Sequence, residues 1–174
     1  MLDFSTPGKS NSFGLRPSES NYIAPGKRPL SSMSPTMIFR PDEDNGHDNP
    51  DEHLGRLFMS LGASGGPKII TAVLQVFLNY ATLGMPLFES VSNPRIHDQL
   101  LYHGRSVTGY DRTPLLQGPM IETSVRTRDA LVRRGHELLA LDYLGTTQAV
   151  AVDFETDRLT AVSDIRKDGT PSGY

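Results

Sequence analysis

There is no cysteine anywhere in the 174 residues. That excludes disulfides, thiolate zinc sites and a cysteine nucleophile, while leaving the compartment open, because exported proteins can do without disulfides. A dominant charge of one sign is also missing: 17 basic side chains stand against 20 acidic ones, for a net charge of −3. No expected helix carries a clustered basic stripe, so nucleic acid is not an expected partner. The start, MLDFSTPGKSNSF, has no basic stretch running into an apolar one and shows no signal peptide. Nor is any apolar run long enough to span a bilayer. The longest, after Pro67, is broken by Thr71, Gln75 and Asn79, which marks a core helix.

What is present suits one folded unit. A chain of this length buries roughly 70% of its unfolded surface when complete, and 37% hydrophobic residues permit a core. Thirteen prolines and sixteen glycines crowd into the first third and into the patch Gly104 to Pro119, which are expected to be loop. Residues 1–35 show no helical or strand period. Yet Phe4, Phe13, Leu15, Tyr22, Ile23 and Leu30 recur through them, which favours a loop pinned over a site.

Thr36 to Arg40 (TMIFR) and Arg56 to Leu61 (RLFMSL) read as a hairpin whose acidic connection, residues 41–55, looks like an insertion. Asp42, Glu43, Asp44, Asp48, Asp51 and Glu52, with His47 and His53, raise the question of a calcium or transition-metal loop. Counting back from Gly46 puts Pro41 where the first acidic ligand of a helix-flanked calcium loop must stand, so a solvated tip is the better reading. Pro67 to Leu83 is expected to be a helix buried on nearly every side, each large apolar side chain contributing roughly 1.5–3 kcal/mol before ordering entropy is subtracted. A shorter helix follows Pro86, a strand is expected within Arg95 to His103, and Gly104 to Met120 is expected to be loop. Ser124 to Gly135 reads as a helix with a solvated basic face. Thr147 to Phe154 and Arg158 to Ser163 suit an antiparallel pair, followed by a polar, turn-rich tail. Strands and helices in irregular order with hairpins predict an α+β layered domain.

The chemistry concentrates at Gly62-Ala63-Ser64-Gly65-Gly66. The run fits GxSxG in its strand-then-helix setting, which would make Ser64 a nucleophile with His97, His103 or His136 as base. The three histidines are not spaced for one helical face, which favours structural or exposed positions. A phosphate loop fails, because Pro67 stands where glycine must precede Lys68. The plain alternative is a tight turn whose glycines only allow close strand–helix packing. Likewise Ser31 and Ser32, between two prolines, read alone as ordinary loop hydroxyls.

Three longer stretches carry a resemblance: NSFGLRPSESNYIAPGKRPLSSMSPTM, then LGASGGPKIITAVLQVFLNYATLGMPLFESVSNPRIHDQLLYH, then the ending SDIRKDGTPSGY. Together they resemble the small subunit of gamma-glutamyltranspeptidase over nearly the whole chain. The resemblance implies an N-terminal-nucleophile hydrolase with an αββα sandwich, needing no cofactor or metal. A threonine freed by self-cleavage attacks the γ-glutamyl amide of glutathione or a related compound, giving a γ-glutamyl enzyme ester that passes to water or to an amino-acid or dipeptide acceptor. Residue by residue it implies that Ser31 and Ser32 hold the substrate α-carboxylate, that Asp3 holds its α-ammonium, and that Gly65 and Gly66 offer backbone N–H groups to the oxyanion.

Departures from the pattern are an alanine in many relatives where Ser64 stands, a cysteine in some where Ser34 stands, and the expanded acidic stretch 41–55. The threonine, the segment following it and the large subunit are expected upstream of Met1, so that residues 1–174 form an incomplete domain, inactive alone, that needs the large subunit and the rest of the small subunit as partners. Family members are membrane-anchored facing outward, periplasmic, secreted or vacuolar. A non-catalytic remnant that binds γ-glutamyl compounds, and a serine hydrolase using Ser64, are the alternatives.

Overall fold

The structure, a computed structural model, describes residues 4–41, 55–116 and 118–173. Asp3 and most of the acidic stretch 41–55 therefore lie outside the described residues. Along the chain it places β1 (Thr36–Phe39), β2 (Leu57–Ser64), α1 (Lys68–Phe77), α2 (Leu87–Ser92), β3 (Ile96–His97), β4 (Thr108–Thr113), β5 (Ile121–Glu122), α3 (Val125–Val132), β6 (Leu138–Leu141), β7 (Thr146–Asp153) and β8 (Arg158–Val162). The class is α+β, as expected.

The larger sheet runs β1-β2-β7-β8 and is antiparallel throughout. Its register sets Thr36 opposite Leu61 on one side of β2 and Ser64 opposite Thr146 on the other. Alternation does the rest: Met59 and Leu61 of β2 and Ala149 and Ala151 of β7 point to one face. Ile69, Val73 and Val76 of α1, with Leu87 and Val91 of α2, cover that face and complete the core. A π-helical turn, Leu78–Thr82, ends α1, and Pro86 precedes α2.

The second sheet is built on β4, which pairs antiparallel with β3 and β5 and parallel with β6. Strand β4 lies in the stretch expected to be loop, because TGYDRT has little apolar alternation: Thr108, Asp111 and Thr113 are its buried side chains. Beside β4 the two sheets are joined by four buried charges. Asp164, just after β8, accepts from Arg95 Nη2 at 2.7 Å and from Arg166 Nη1 at 3.0 Å. Arg166 also reaches Asp111 of β4 at 2.5 Å and donates to the Asn93 carbonyl at 2.9 Å. Burial alone would raise the Asp164 carboxyl, but the charges of Arg95 and Arg166 outweigh it and hold the group below its ordinary range.

Two further expectations are corrected. Strand β2 continues through Gly62, Ala63 and Ser64, paired to Gln148, Thr147 and Thr146, so the turn is confined to Gly65, Gly66 and Pro67. And α1 is not enclosed: Ile70 and Leu74, one turn apart, stay 54% and 51% exposed on the face away from the sheet.

Candidate active site

Between the last paired residue of β2 and the first residue of α1 the chain turns through two glycines. Gly65 and Gly66 have φ of 139° and 61°, conformations that side chains resist, and Pro67 follows with φ −61°, ready for a helix. The Lys68 N–H donates to the Gly65 carbonyl at 3.3 Å and the Ile69 N–H to the Gly66 carbonyl at 3.0 Å. The glycine carbonyls are thus spent on the helix start. Their own N–H groups have no acceptor among the described residues. Two adjacent unspent donors at the positive end of a ten-residue helix can receive negative charge.

Close packing fixes the turn. A Cβ on Gly65 would stand 2.8 Å from the Gly145 Cα, and one on Gly66 would stand 2.3 Å from the Phe13 ring. Gly145 is itself held from behind, its carbonyl accepting from Arg95 Nη1 at 2.8 Å. Phe13 is tied down through its carbonyl, which accepts from Gln99 Nε2 at 2.9 Å. Gln99 in turn meets His97 at 3.0 Å, and His97 meets Thr71 of α1 at 2.9 Å. Burial pushes the His97 imidazole below its ordinary range, so it is a neutral link in this chain of contacts.

The elbow reading finds no support in these contacts. The Ser64 hydroxyl lies 2.8 Å from the Thr146 hydroxyl and 3.4 Å from that of Tyr143. His97 is committed to Thr71 and Gln99, His136 to Thr108 at 2.7 Å, and His103 stacks edge-on against Tyr102. None contacts Ser64.

Ser31 and Ser32 lie on the segment leading into β1. The paired register of β1 begins only at Thr36, and neither serine hydrogen-bonds to Gly65 or Gly66 among the described residues. The Ser31 Oγ accepts from the Met33 N–H at 3.1 Å, and Ser32 lends its carbonyl to the Ser34 hydroxyl at 3.2 Å. No cluster of metal-ligating side chains occurs among the described residues, and none of the helices is long and apolar enough to cross a membrane.

The family model of gamma-glutamyltranspeptidase matches residues 1–174. The chain belongs to the gamma-glutamyltranspeptidase family. A glutathione hydrolase proenzyme of Arthroderma benhamiae is 48% identical over 101 residues, covering 58% of this chain and 15% of the relative. Glutathione hydrolase 3 of Arabidopsis thaliana is 35% identical over 194 residues, covering 99% of this chain and 28% of the relative. The chain thus spans less than a third of the length of these curated relatives. Among solved structures, a gamma-glutamyltranspeptidase of Pseudomonas nitroreducens complexed with L-DON superposes with a TM-score of 0.73 at 33% identity, over 99% of this chain and 78% of that one. The fold is therefore that of the gamma-glutamyltranspeptidase N-terminal-nucleophile hydrolases.

Two parts of the gamma-glutamyltranspeptidase turn escaped the sequence reading. Tyr143 and Gly145 precede β7 without any pattern of their own, and they meet the glycines only because Thr146 pairs with Ser64. Lys68 read as a failed phosphate-loop lysine. It is buried, and its Nζ donates to the Tyr143 carbonyl at 2.7 Å.

Proposed function

We propose that these residues supply the substrate-binding and oxyanion-stabilising part of an enzyme that cleaves the γ-glutamyl amide of glutathione or a related compound. One observation carries the reading: Gly65 and Gly66 stand side by side at the head of α1 with N–H groups that nothing in the described chain accepts. Attack on the amide carbonyl turns its oxygen into an alkoxide, and paired N–H donors fixed before the reaction stabilise that charge without reorganising. Ser31 and Ser32 donate to the α-carboxylate, and Asp3 holds the α-ammonium. The attacking hydroxyl belongs to a threonine outside residues 1–174. Its own α-amine takes the proton and returns it to the departing nitrogen, the amine product leaves, and the γ-glutamyl ester passes to water or to an amino-acid or dipeptide acceptor. The large subunit and the rest of the small subunit complete the site, and the enzyme works at an outward-facing membrane, in a secreted form or in a vacuole.

Turnover of L-γ-glutamyl-p-nitroanilide by the full-length protein tests the reading. The full-length protein is expected to release p-nitroaniline, faster when a dipeptide acceptor is added, while residues 1–174 alone release none. Ser31→Ala with Ser32→Ala is expected to raise KM far more than it lowers kcat, since the lost donors bind substrate and transition state alike. A full-length protein that leaves the anilide intact would overturn the assignment.

A further inference from the structure

Lys68 is placed against every local preference. It is the first residue of α1, where the helix dipole disfavours a cation, and no acidic residue occupies that first turn. Its side chain is buried, yet no carboxylate pairs with it among the described residues. Asp142 and Asp111 act on it only from a distance, and burial pushes the ammonium below the ordinary lysine range. The nearby His97 is itself pushed toward its neutral form by burial. One hydrogen bond, to the Tyr143 carbonyl, holds the Nζ. Around it stand three aromatic rings, with centroids at 5.6 Å for Tyr143, 5.8 Å for Phe13 and 6.0 Å for Tyr102.

Two of those rings are the walls of the turn. Phe13 closes on Gly66, and the Tyr143 ring stands 3.5 Å from where a Gly65 Cβ would be. A cation attracted to both ring faces links the two walls through one point. Its charge stands against the rings that pack on Gly65 and Gly66, at the end of α1 whose dipole is also positive. A buried cation without a counterion costs stability, and what this one leaves behind is positive potential at the turn.

We propose that Lys68 is a positioning residue for the oxyanion-binding turn, holding Phe13 and Tyr143 against Gly66 and Gly65 and adding positive charge beside the walls of the turn. This rests on the reading of the turn given above. The charge matters most when the substrate oxygen becomes an alkoxide, so its loss lowers kcat and leaves KM nearly alone.

The test compares Lys68→Met with Lys68→Arg in the full-length protein, using γ-glutamyl-p-nitroanilide. Removing one direct donor from such a site costs about 100- to 1,000-fold, so a group acting through the turn should cost about 10- to 100-fold in kcat for Lys68→Met. KM should stay within about twofold, and Lys68→Arg should recover most of the loss. A second measurement serves if Lys68→Met does not fold: kcat of the unmutated protein should decline at a pH below the ordinary lysine pKa of about 10.4, and Lys68→Arg should move that decline upward. Unchanged kcat in a folded Lys68→Met, a matching rise in KM, or an alkaline decline that Lys68→Arg leaves in place would each overturn the proposal while the assignment of the turn stands. An unmutated full-length protein without turnover would overturn the assignment itself and the proposal with it.

Discussion

Arg166 closes on Asp111 from 55 residues further along the chain, its Nη2 at 2.5 Å and its Nε at 3.1 Å from one carboxylate oxygen. Both side chains are shut off from solvent. The same guanidinium reaches Asp164 and the carbonyls of Val91 and Asn93 at the end of α2, so one side chain of the tail ties together β4, α2 and the strand β8 that precedes it.

Arg166→Met should therefore destabilise the protein by about 3–5 kcal/mol, since it leaves Asp111 without its direct counterion and Asp164 with only Arg95 in a buried site. Arg166→Lys should recover only part of this, because one ammonium cannot reproduce a fork that reaches two carboxylates and several carbonyls. Urea unfolding of the three proteins checks it. An Arg166→Met midpoint equal to that of the unmutated protein would show that the four charges add nothing to stability.

The same cluster sets an acid limit. Asp164 has its folded pKa depressed, with burial opposing and Arg95 and Arg166 prevailing. A carboxyl of that kind contributes stability that is full above the unfolded pKa of about 3.9 and is lost as the pH falls through the lower folded value. Urea midpoints should hold level down to about pH 4 on this account and then drop. In Asp164→Asn, destabilised throughout, that last drop should be shallower, and an equally steep drop would assign acid unfolding to other groups.

What the sequence made legible follows from what periodicity can register. Strands β2 and β7 alternate apolar residues against a helix-covered face, β1 and β8 are short apolar runs between polar stretches, and α1 repeats Ile69, Val73 and Val76 at helical spacing, so all five could be read. Strand β4 could not, because its buried side chains are Thr108, Asp111 and Thr113: Thr113 bonds to Asp111 itself, and Asp111 finds its counterion 55 residues on, in Arg166. For the same reason the tail read only as polar and turn-rich, although the side chains of Asp164 and Arg166 are enclosed there. The glycine pair was visible as a turn. Its walls were not: Phe13 and Gly145 reach it through contacts that only the folded chain creates.

The glycines of the run GASGG should differ sharply in tolerance. Gly66→Ala forces an alanine to φ 61° and puts its Cβ 2.3 Å from the Phe13 ring, whereas Gly62 has nothing within 4 Å of the corresponding position. Gly66→Ala is expected to cost about 1–3 kcal/mol, and Gly62→Ala less than about 0.5 kcal/mol. Adding Phe13→Ala to Gly66→Ala removes the clash but not the backbone strain, so the double variant should recover only part of the cost. Thermal unfolding of the four proteins measures this, and equal losses for Gly62→Ala and Gly66→Ala would refute the close approach of Phe13.

Ser64 offers the sharpest separation of the two chemistries that the run GASGG allows. Its hydroxyl bonds to Thr146 across the β2–β7 pair and touches Tyr143, with no histidine in reach among the described residues to take its proton. A serine so placed has no base to activate it, and its side chain serves the end of the strand. Ser64→Ala should therefore cost about 1 kcal/mol of stability, the worth of one exchanged hydrogen bond, and leave γ-glutamyl turnover by the full-length protein within about twofold. A fluorophosphonate probe should leave Ser64 unlabelled. If instead the probe labels the protein and Ser64→Ala abolishes both labelling and turnover, the nucleophile is Ser64 and the N–H groups of Gly65 and Gly66 serve a serine acyl-enzyme.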